Sequence, residues 1–493
     1  MDGVFHYSTK MQHDHTVTVE EAVQLLAMVG DLSMGQPTNQ SIRSAHLAER
    51  LALADGAGPG ACAHVRLVTL LRWSGCTANA SGFSALLGDD VAGRDAMLLG
   101  TLPPDNRMTF TSVEPLARIH CEVSGAIAQV MGLPEEVETG LRRFWEHYDG
   151  GGTPERLSDP QIPRLVYHAN LAGDLELLTR ARGVDEALRL IATRADKKYP
   201  ADLVRLLATH AGAWLEAIEA PDCPAQIPAL AEHVSLTIVA DTIELKLPWL
   251  LGYSRRVADL AERAGALAGL SPSQQRCLGR AALIHGVGRA AVPNIVWERA
   301  GKLGMADWEK VRLVPYWMAR AGVQIPSLRA EAALASHVYE RLDGSGYYRD
   351  LDADSLNMPQ RILAAAAAYA ALCMPRPWRA ACAAPEAARI LSADAAAGRF
   401  DMQAVNFVIA AADGTCVEAG EPASPRKKLL SEREISVLRR LSLGESNKEV
   451  ARELQISPST VGTHVESIFR KLECSTRTAA TLKGLTLGLI HAE

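Results

Sequence analysis

The feature that most constrains the fold is a dense run of helix signals between Leu429 and Leu489. Ser431 is followed three residues later by Glu434, which is a capping box at the start of an amphipathic segment. Further on, Ser457 caps another helix and Pro458 fills its first position, where the missing backbone N–H is tolerated. Between the two, a glycine and a serine–asparagine pair predict the end of one helix and the cap of a short one. This segment is therefore predicted to fold as short helices joined by tight turns.

The helix after Ser457 has two different faces. Its apolar face is formed by Val461, Val465, Ile468, Phe469 and Leu472. Its polar face carries Ser459, Thr463, His464, Ser467, Arg470 and Lys471. Small hydrogen-bonding side chains lie toward its N-terminal half and cations toward its C-terminal end. Such a helix suits the DNA major groove, because short polar side chains reach base edges and cations neutralise phosphates.

The whole segment resembles the LuxR/FixJ-type helix-turn-helix. The matching residues are Ser431, Arg433, Glu434, Val437, Leu438, Gly444, Asn447, Glu449, Ala451, Leu454, Ser457, Thr460, Val461, His464, Ile468, Lys471, Leu472 and Arg477. The resemblance implies a helix-turn-helix at about 447–466, double-stranded DNA as the partner, and a fourth helix at about 476–487 that commonly supports dimerisation. The DNA-binding residues predicted from it are Lys448, Ser459, Thr460, Thr463, His464, Ser467, Arg470, Lys471 and Arg477. Gly462 replaces a lysine common in relatives and Glu466 adds a negative charge, so base preference is expected to differ. A helical bundle that binds protein is the alternative.

Charge is unevenly distributed over the 493 residues. From Arg426 to Glu493 there are 12 Lys and Arg against 8 Asp and Glu, which leaves 39 against 49 upstream. The basic end suits a polyanion, whereas the acidic remainder does not. Nine scattered cysteines without a CxxC pair predict reduced thiols. No signal peptide and no apolar run of ~18 to 20 residues is found, so a cytoplasmic protein without a membrane partner is expected.

Helical periodicity dominates the rest of the chain, and alternating β-branched runs are few. We therefore predict an all-α fold in which two tandem helical bundles precede the four-helix C-terminal domain. Proline and glycine predict linkers at 219–224 and 418–426. The predicted division is 19–217, 237–413, a linker at 414–426, and 427–490.

The central part, over about 238–413, contains GRAALIHGVGRAAVPNIVW, ASHVYERLDGSGYYRDL and MPQRILAAAAAYAAL in that order. In order and spacing these stretches resemble an HD-GYP-type domain, a branch of the HD metal phosphohydrolases whose active members cleave cyclic dinucleotides. The resemblance implies metal ions held by histidine nitrogens and carboxylate oxygens, which ionise a bound water near neutral pH.

Most of the family's ligand positions are altered in this sequence. The His-Asp pair reads His285-Gly286, the lysine is Arg289, the upstream histidine is Tyr253, the His-His pair is Val338-Tyr339 beside His337, and the Ala-Asp pair is Ala367-Ala368. The remnants His285 and His337 are a poor cage for two metals, although a single adventitious metal stays open. The sequence therefore predicts no metal site, no cofactor and no enzyme activity. The glycines of 343–347 are expected to keep a structural turn, with a retained ligand loop as the alternative.

The N-terminal part contains a second copy of this pattern. Residues 41–50 match 254–263, and residues 146–152 match 340–346, which indicates a tandem repeat. The corresponding site positions are Gln40, Arg72-Trp73 and Phe144-Trp145. Arg72 and Trp73 either pack in the core or hold an anionic or stacked ligand.

Three other groups attract attention in the N-terminal part. His13, Asp14 and His15 are spaced like metal ligands but are expected to lie in a solvated tail. Cys76 is interpreted as a small core residue, and the Asp89-Asp90 pair as a helix start.

These features predict a sequence-specific, DNA-binding transcriptional regulator that acts as a homodimer. Its two HD-GYP-like bundles are expected to form a catalytically inactive input and dimerisation region. Whether that region binds a nucleotide, another small molecule or a protein stays open. The alternatives are a metal-dependent cyclic dinucleotide phosphodiesterase localised to DNA by its helix-turn-helix, and a protein-binding scaffold with a vestigial helix-turn-helix.

Overall fold

The computed structural model describes residues 15–104, 106, 108–219, 233–414 and 429–490. His13, Asp14 and nearly all of the two predicted linkers lie outside the described residues. His15 is buried, and its Nε2 lies 3.2 Å from Oε1 of Glu262. The expectation of a solvated tail is therefore wrong for His15.

The N-terminal part is helical. Its helices are α1 (Val19–Ser33), α2 (Gln40–Ala54), α3 (Pro59–Leu71), α4 (Ala80–Leu87), α5 (Asp90–Leu99), α6 (Phe110–Val130), α7 (Glu135–Arg142), α8 (Arg164–Arg182), α9 (Val184–Ala192) and α10 (Ala201–Glu219). Local caps begin several of them. Thr18 and Glu21 form a capping box at α1, and the Asp89 carboxylate accepts hydrogen bonds from the first turn of α5.

The central part is helical as well. Its helices are α11 (Thr237–Glu244), α12 (Tyr253–Leu267), α13 (Pro272–Ile284), α14 (Asn294–Trp297), α15 (Met305–Arg312), α16 (Val314–Gln324), α17 (Arg329–Ala335), α18 (Met358–Leu372), α19 (Ala384–Ala396) and α20 (Met402–Asp413). In both parts, the helices pack their apolar faces around buried alanine, leucine and valine side chains.

The C-terminal domain has the predicted four helices. They are α21 (Glu432–Ser442), α22 (Asn447–Glu453), α23 (Pro458–Leu472) and α24 (Arg477–Thr486). The capping box of Ser431 and Glu434 is present, and the Ser457 hydroxyl accepts from the Thr460 N–H. The all-α prediction is confirmed. The only sheet among the described residues is a two-stranded antiparallel ladder that joins β1 (Thr16–Thr18) to β2 (His233–Ser235).

A buried ion pair joins the N-terminal and central parts. The Asp90 carboxylate lies 2.6 Å from Nζ of Lys246 and accepts a hydrogen bond from the Asn294 N–H at 2.7 Å. All three residues are buried. The Asp89-Asp90 pair thus begins a helix as predicted, and Asp90 also holds a contact that the sequence did not reveal. Because loss of one partner would leave a buried charge, this contact fixes the two parts together.

Candidate functional site

The exposed face of α23 is the candidate nucleic-acid interface. Val461, Val465, Ile468 and Leu472 are buried beneath it. Of the predicted DNA-binding residues, Lys448, Ser459, Thr460, Thr463, Arg470, Lys471 and Arg477 are exposed, and His464 and Ser467 are half-buried. No atom lies within 4 Å of a Cβ placed on Gly462, so a side chain would fit there. The structure thus leaves this face of α23 open.

Ser467 and Lys471 also brace the domain from inside. Each donates a hydrogen bond of 2.7 Å to the Glu434 carboxylate, Ser467 to Oε1 and Lys471 to Oε2. Burial alone would raise the pKa of Glu434, but hydrogen bonds from Lys471, Ser431 and Ser467 outweigh it and hold the pKa at about 2. Glu434 therefore remains ionised and ties α21 to α23.

Arg477 has a similar bracing role. Its Nη1 donates to the Glu445 carbonyl at 3.0 Å, and its Nη2 donates to Oδ1 of Asn447 at 2.5 Å. These bonds connect the start of α24 with the start of α22. The guanidinium group of Arg477 is thus held at the end of the helix-turn-helix.

The fourth helix, α24, is covered by the N-terminal part. Ala479, Ala480 and Leu482 are fully buried, and α24 packs against α6. At its start, the Ser475 N–H and hydroxyl both donate to the Glu122 carboxylate, the hydroxyl at 3.1 Å. The helix that the resemblance assigned to dimerisation therefore packs against α6 as well as within its own domain.

The second repeat has His285 at the position of the histidine in the family's His-Asp pair. His285 is fully buried, and its Nδ1 faces the Ala282 carbonyl, which requires the Nδ1-protonated tautomer. Its Nε2 then accepts a hydrogen bond of 2.9 Å from Nη2 of Arg289. Burial and the Arg289 charge lower the pKa of His285 to about 3. The imidazole is neutral, and the lone pair on its Nε2 accepts the hydrogen bond from the Arg289 guanidinium group.

The neighbouring positions supply few further donors. The Tyr253 hydroxyl donates to the Ala367 carbonyl at 2.9 Å, and a Cβ on Gly286 would lie 2.7 Å from Nη1 of Arg289. His337 is half-buried, with its Nδ1 2.6 Å from the Ala333 carbonyl. Among the described residues, no group of three or more His, Cys, Asp or Glu could hold a metal ion. The residues present therefore do not fit the metal centre that the family implies.

The first repeat has an arginine at the same position. Arg72 is 1% exposed and donates to the Gln40 side chain, to the Ser41 hydroxyl at 3.2 Å and to the Thr69 carbonyl. Its guanidinium carbon lies 4.0 Å from the centre of the Trp73 ring. The cavity beside these residues is about 30 Å³, which is room for about one water molecule. This packing favours the structural interpretation of Arg72 and Trp73.

The two repeats share a loop framework in detail. The Glu146 carboxylate accepts from the Glu155 and Leu157 N–H groups, as Glu340 accepts from those of Arg349 and Leu351. A Cβ on Gly152 or on Gly346 would lie 2.4 Å from a backbone nitrogen. These glycines are needed because another chain segment passes at contact distance, which agrees with a structural role for the loop.

Sequence reasoning missed several arginines around the second centre, including Arg341 and Arg376. The guanidinium carbon of Arg376 lies 5.0 Å from the Trp249 ring and 5.7 Å from the Tyr253 ring. The sequence holds one sign that Arg376 is not in a local ion pair, since no acidic residue lies within four positions of it.

Two family models match the chain. Residues 237–404 match the HD domain, and residues 428–483 match the bacterial regulatory proteins of the luxR family. The chain therefore carries an HD domain and a C-terminal luxR-type helix-turn-helix domain, and the latter implies DNA binding. No helix within the described residues is both long and apolar enough to span a bilayer.

Its relatives fall into the same two classes. The 3'3'-cGAMP-specific phosphodiesterase 3 of Vibrio cholerae is 26% identical over 54% of this chain and 61% of its own length. The "Probable transcriptional regulatory protein NarL" of Mycobacterium tuberculosis is 38% identical over 20% of this chain and 43% of its own length. The chain thus spans less than two thirds of either relative. A crystal structure of a cyclic GMP-AMP specific phosphodiesterase of V. cholerae shares the fold, with a TM-score of 0.57, 19% identity, and coverage of 81% of this chain and 98% of that one.

These similarities contradict the expectation that the chain is not an enzyme. An HD domain, together with 26% identity to a phosphodiesterase over half the chain, makes phosphodiesterase activity possible. The altered ligand positions of the second centre therefore do not establish that the chain lacks enzyme activity.

Proposed function

We propose that this protein is a sequence-specific transcriptional regulator that binds double-stranded DNA through α23 and receives input through its HD-type repeats. The observation that carries the proposal is a luxR-type domain whose recognition helix is open to solvent. Since its DNA partner is intracellular, we place its action in the cytoplasm.

The nine candidate DNA-binding residues divide by their surroundings. Ser459, Thr460, Thr463 and His464 are assigned to base edges, and Lys448 and Arg470 to phosphates. Ser467, Lys471 and Arg477 are assigned a second role in positioning the helix, because each bonds within the domain. Lys471 is exposed and can reach a phosphate from its place beside Glu434.

Selection of bound sequences from random duplex DNA at a stated, moderate salt concentration tests the proposal. An enriched motif is expected. Thr463→Ala should relax the preference at one base position, and Arg470→Gln should weaken binding to all sequences alike. Arg389→Gln is a matched control, since Arg389 is exposed, pairs with Glu386 and lies in α19, outside the C-terminal domain. If no DNA motif is enriched, the proposal of a sequence-specific regulator is overturned.

We further propose a homodimer, because one module of this size covers one half-site. The proposed division is 19–217 and 237–413 for the repeats, 414–426 for the linker and 427–490 for the DNA-binding domain. The matching hydrogen bonds of Glu146 and Glu340 support the assignment of two repeats. Because α24 is covered by α6, dimerisation through α24 requires that it leave the N-terminal part.

Cyclic dinucleotide hydrolysis is the second candidate function, favoured by the similarity to the 3'3'-cGAMP-specific phosphodiesterase. The test is turnover of 3'3'-cGAMP by the full chain with added Mn²⁺, Mg²⁺ or Fe²⁺, alongside metal analysis of the purified protein. Turnover that is lost in His285→Ala would support this candidate. Turnover that survives in His285→Ala, or that is undetectable with all three metals, would count against the second centre as its source.

A further inference from the structure

The second repeat gathers three arginines that lack acidic partners. Arg289, Arg341 and Arg376 have no carboxylate oxygen within 4 Å among the described residues. Nη1 of Arg341 donates to the Glu340 carbonyl at 2.7 Å, and Nη1 of Arg376 donates to the Pro375 carbonyl at 2.9 Å. The acceptors that these three arginines have among the described residues are all neutral groups, which compensate the charge of a partly buried cation poorly.

Arg289 is the most buried of the three, with 5% of its surface exposed. Its Nη2 is satisfied by His285 and by the Tyr339 hydroxyl, both at 2.9 Å, but its Nη1 is buried and has no hydrogen-bond partner. The glycine at 286 leaves room for this nitrogen, because a Cβ there would lie only 2.7 Å from Nη1. A buried charged donor without a protein acceptor can donate to an acceptor from outside the chain, and an anion also balances its charge.

The Glu244 carboxylate, whose charge acts on Arg289, supplies only part of that negative charge. Glu244 is fully buried, and its two oxygens accept from the Gly252 and Ser254 N–H groups at 2.6 and 2.7 Å. Burial raises the pKa of Glu244 to about 7, so its charge is only partly present near neutral pH. Burial, together with the charges of Arg289 and Arg379, also lowers the pKa of Arg376 to about 10. The cluster is thus short of negative charge.

Aromatic rings line the same place. The Tyr253 ring contacts the guanidinium groups of Arg289 and Arg376, with centroid distances of 4.9 and 5.7 Å. Tyr339 is stacked on Tyr347 at 5.0 Å and 19°. Arg376, Tyr339 and Tyr347 are half-buried, so the outer side of the cluster is reached from solvent. Guanidinium groups recognise phosphate oxygens, and flat tyrosine rings stack on bases.

We propose that this arginine–tyrosine cluster binds the phosphate group of a nucleotide without a metal ion, with guanidinium groups in the role that metal ions have in the family. The site deepens the proposed function, because it names the class of effector that the input region takes. The base is expected to stack on the tyrosines.

The test is calorimetric titration of the full chain in EDTA with 3'3'-cGAMP, GMP, pyrophosphate and inorganic phosphate. A nucleotide is expected to bind, and inorganic phosphate to bind at least tenfold more weakly. Arg376→Gln should raise the dissociation constant at least tenfold, which is the usual effect of removing a charged hydrogen-bond partner. Arg389→Gln, which removes an exposed arginine paired with Glu386, should leave it unchanged.

Gly286→Asp is a second variant that retains all three arginines. Its Cβ would lie 2.7 Å from Nη1 of Arg289, so the new side chain displaces this guanidinium group and adds a negative charge to the cluster. Nucleotide binding is expected to be abolished while the thermal unfolding curve shows a folded protein. Binding that appears only with added Mn²⁺, or that is unaffected in both variants, would overturn the proposal. Equal affinity for inorganic phosphate would overturn the nucleotide assignment. DNA selection is a separate readout, so a chain that binds nucleotide but enriches no DNA motif would count against the regulator and not against this site.

Discussion

The two repeats have the same supporting framework, but their central arginines, Arg72 and Arg289, differ in how their hydrogen bonds are satisfied. In both, a buried carboxylate, Asp31 or Glu244, caps the helix that follows it, and Glu146 or Glu340 holds the glycine loop. At the first centre, Arg72 has three oxygen acceptors and lies near Asp31. At the second, Arg289 has a buried nitrogen without a partner. The framework residues make the same contacts in both repeats because the fold depends on them, whereas the residues at the two centres differ.

The largest expected difference between the repeats is in the stability contributed by their central arginines. Arg72→Met should reduce the free energy of unfolding by about 3 kcal/mol, because it strands the Gln40, Ser41 and Thr69 oxygens in the core. Arg289→Met should cost less than about 1 kcal/mol, because it also removes a poorly compensated buried charge. Urea denaturation of both variants, followed by circular dichroism, makes the comparison. Equal losses of stability in the two variants would show that the charges of Arg72 and Arg289 are compensated equally well by their surroundings.

The framework glycines should behave alike in the two repeats. A methyl group on Gly152 or Gly346 would lie 2.4 Å from a backbone nitrogen and force the loop to move. Each Gly→Ala change is expected to cost about 2 kcal/mol, in the range of overpacking in a well-packed region. Gly212→Ala is the control, because no atom lies within 4 Å of a Cβ placed on Gly212. Gly269→Ala would not serve, since Gly269 has a positive φ. The same denaturation experiment measures all three, and a large loss in one repeat alone would contradict a shared framework.

The two equivalent residues, His285 and Arg72, should also differ in their response to pH, since His285 titrates in the acidic range and Arg72 does not. The pKa of His285 is lowered to about 3, against about 6.5 in an unfolded chain. Above pH 6.5 neither state is protonated, and below it only the unfolded chain takes up the proton. Stability is therefore lost as the pH falls from 6.5 toward 3.

His285→Asn keeps similar hydrogen bonds without titrating. Between pH 6 and 4 its stability is expected to fall less steeply than that of the parent, by up to about 1.4 kcal/mol per pH unit. His120, whose pKa is lowered to about 4 by burial, is present in both proteins and cancels in the difference. Parallel pH profiles would mean that His285 is protonated in the folded state.

The features that the sequence predicted are mostly local. The Ser431–Glu434 box and the Ser457 cap depend on residues three apart, and the buried face of α23 depends on its period. The Asp90–Lys246 pair joins residues 156 positions apart, and no local pattern marks it. Arg376 lies outside the motif positions, so its approach to Tyr253 becomes visible in the fold alone. Ala479 and Ala480 predict close packing of α24, but they do not say whether the partner is a second copy or this chain's α6.

The repeats differ, finally, in how they hold the DNA-binding domain, and the smallest expected effect concerns this contact. Glu122, in the first repeat, accepts hydrogen bonds from Ser475 at the start of α24. Glu122→Ala should loosen α24 from α6 and so favour the dimer that the DNA-binding proposal requires. Because a partly exposed hydrogen bond contributes about 1 kcal/mol at most, only a few-fold gain in DNA affinity is expected.

Electrophoretic mobility shift with the selected DNA measures that gain, and Glu136→Ala is the control, since Glu136 is exposed on α7 of the same repeat. Sedimentation of Glu122→Ala without DNA should show more dimer than the parent. If DNA affinity rises while the protein stays monomeric, the docked position of α24 hinders DNA binding directly. If affinity falls, Glu122 holds the domain in its DNA-binding arrangement, and the first repeat would then support DNA binding instead of restraining it.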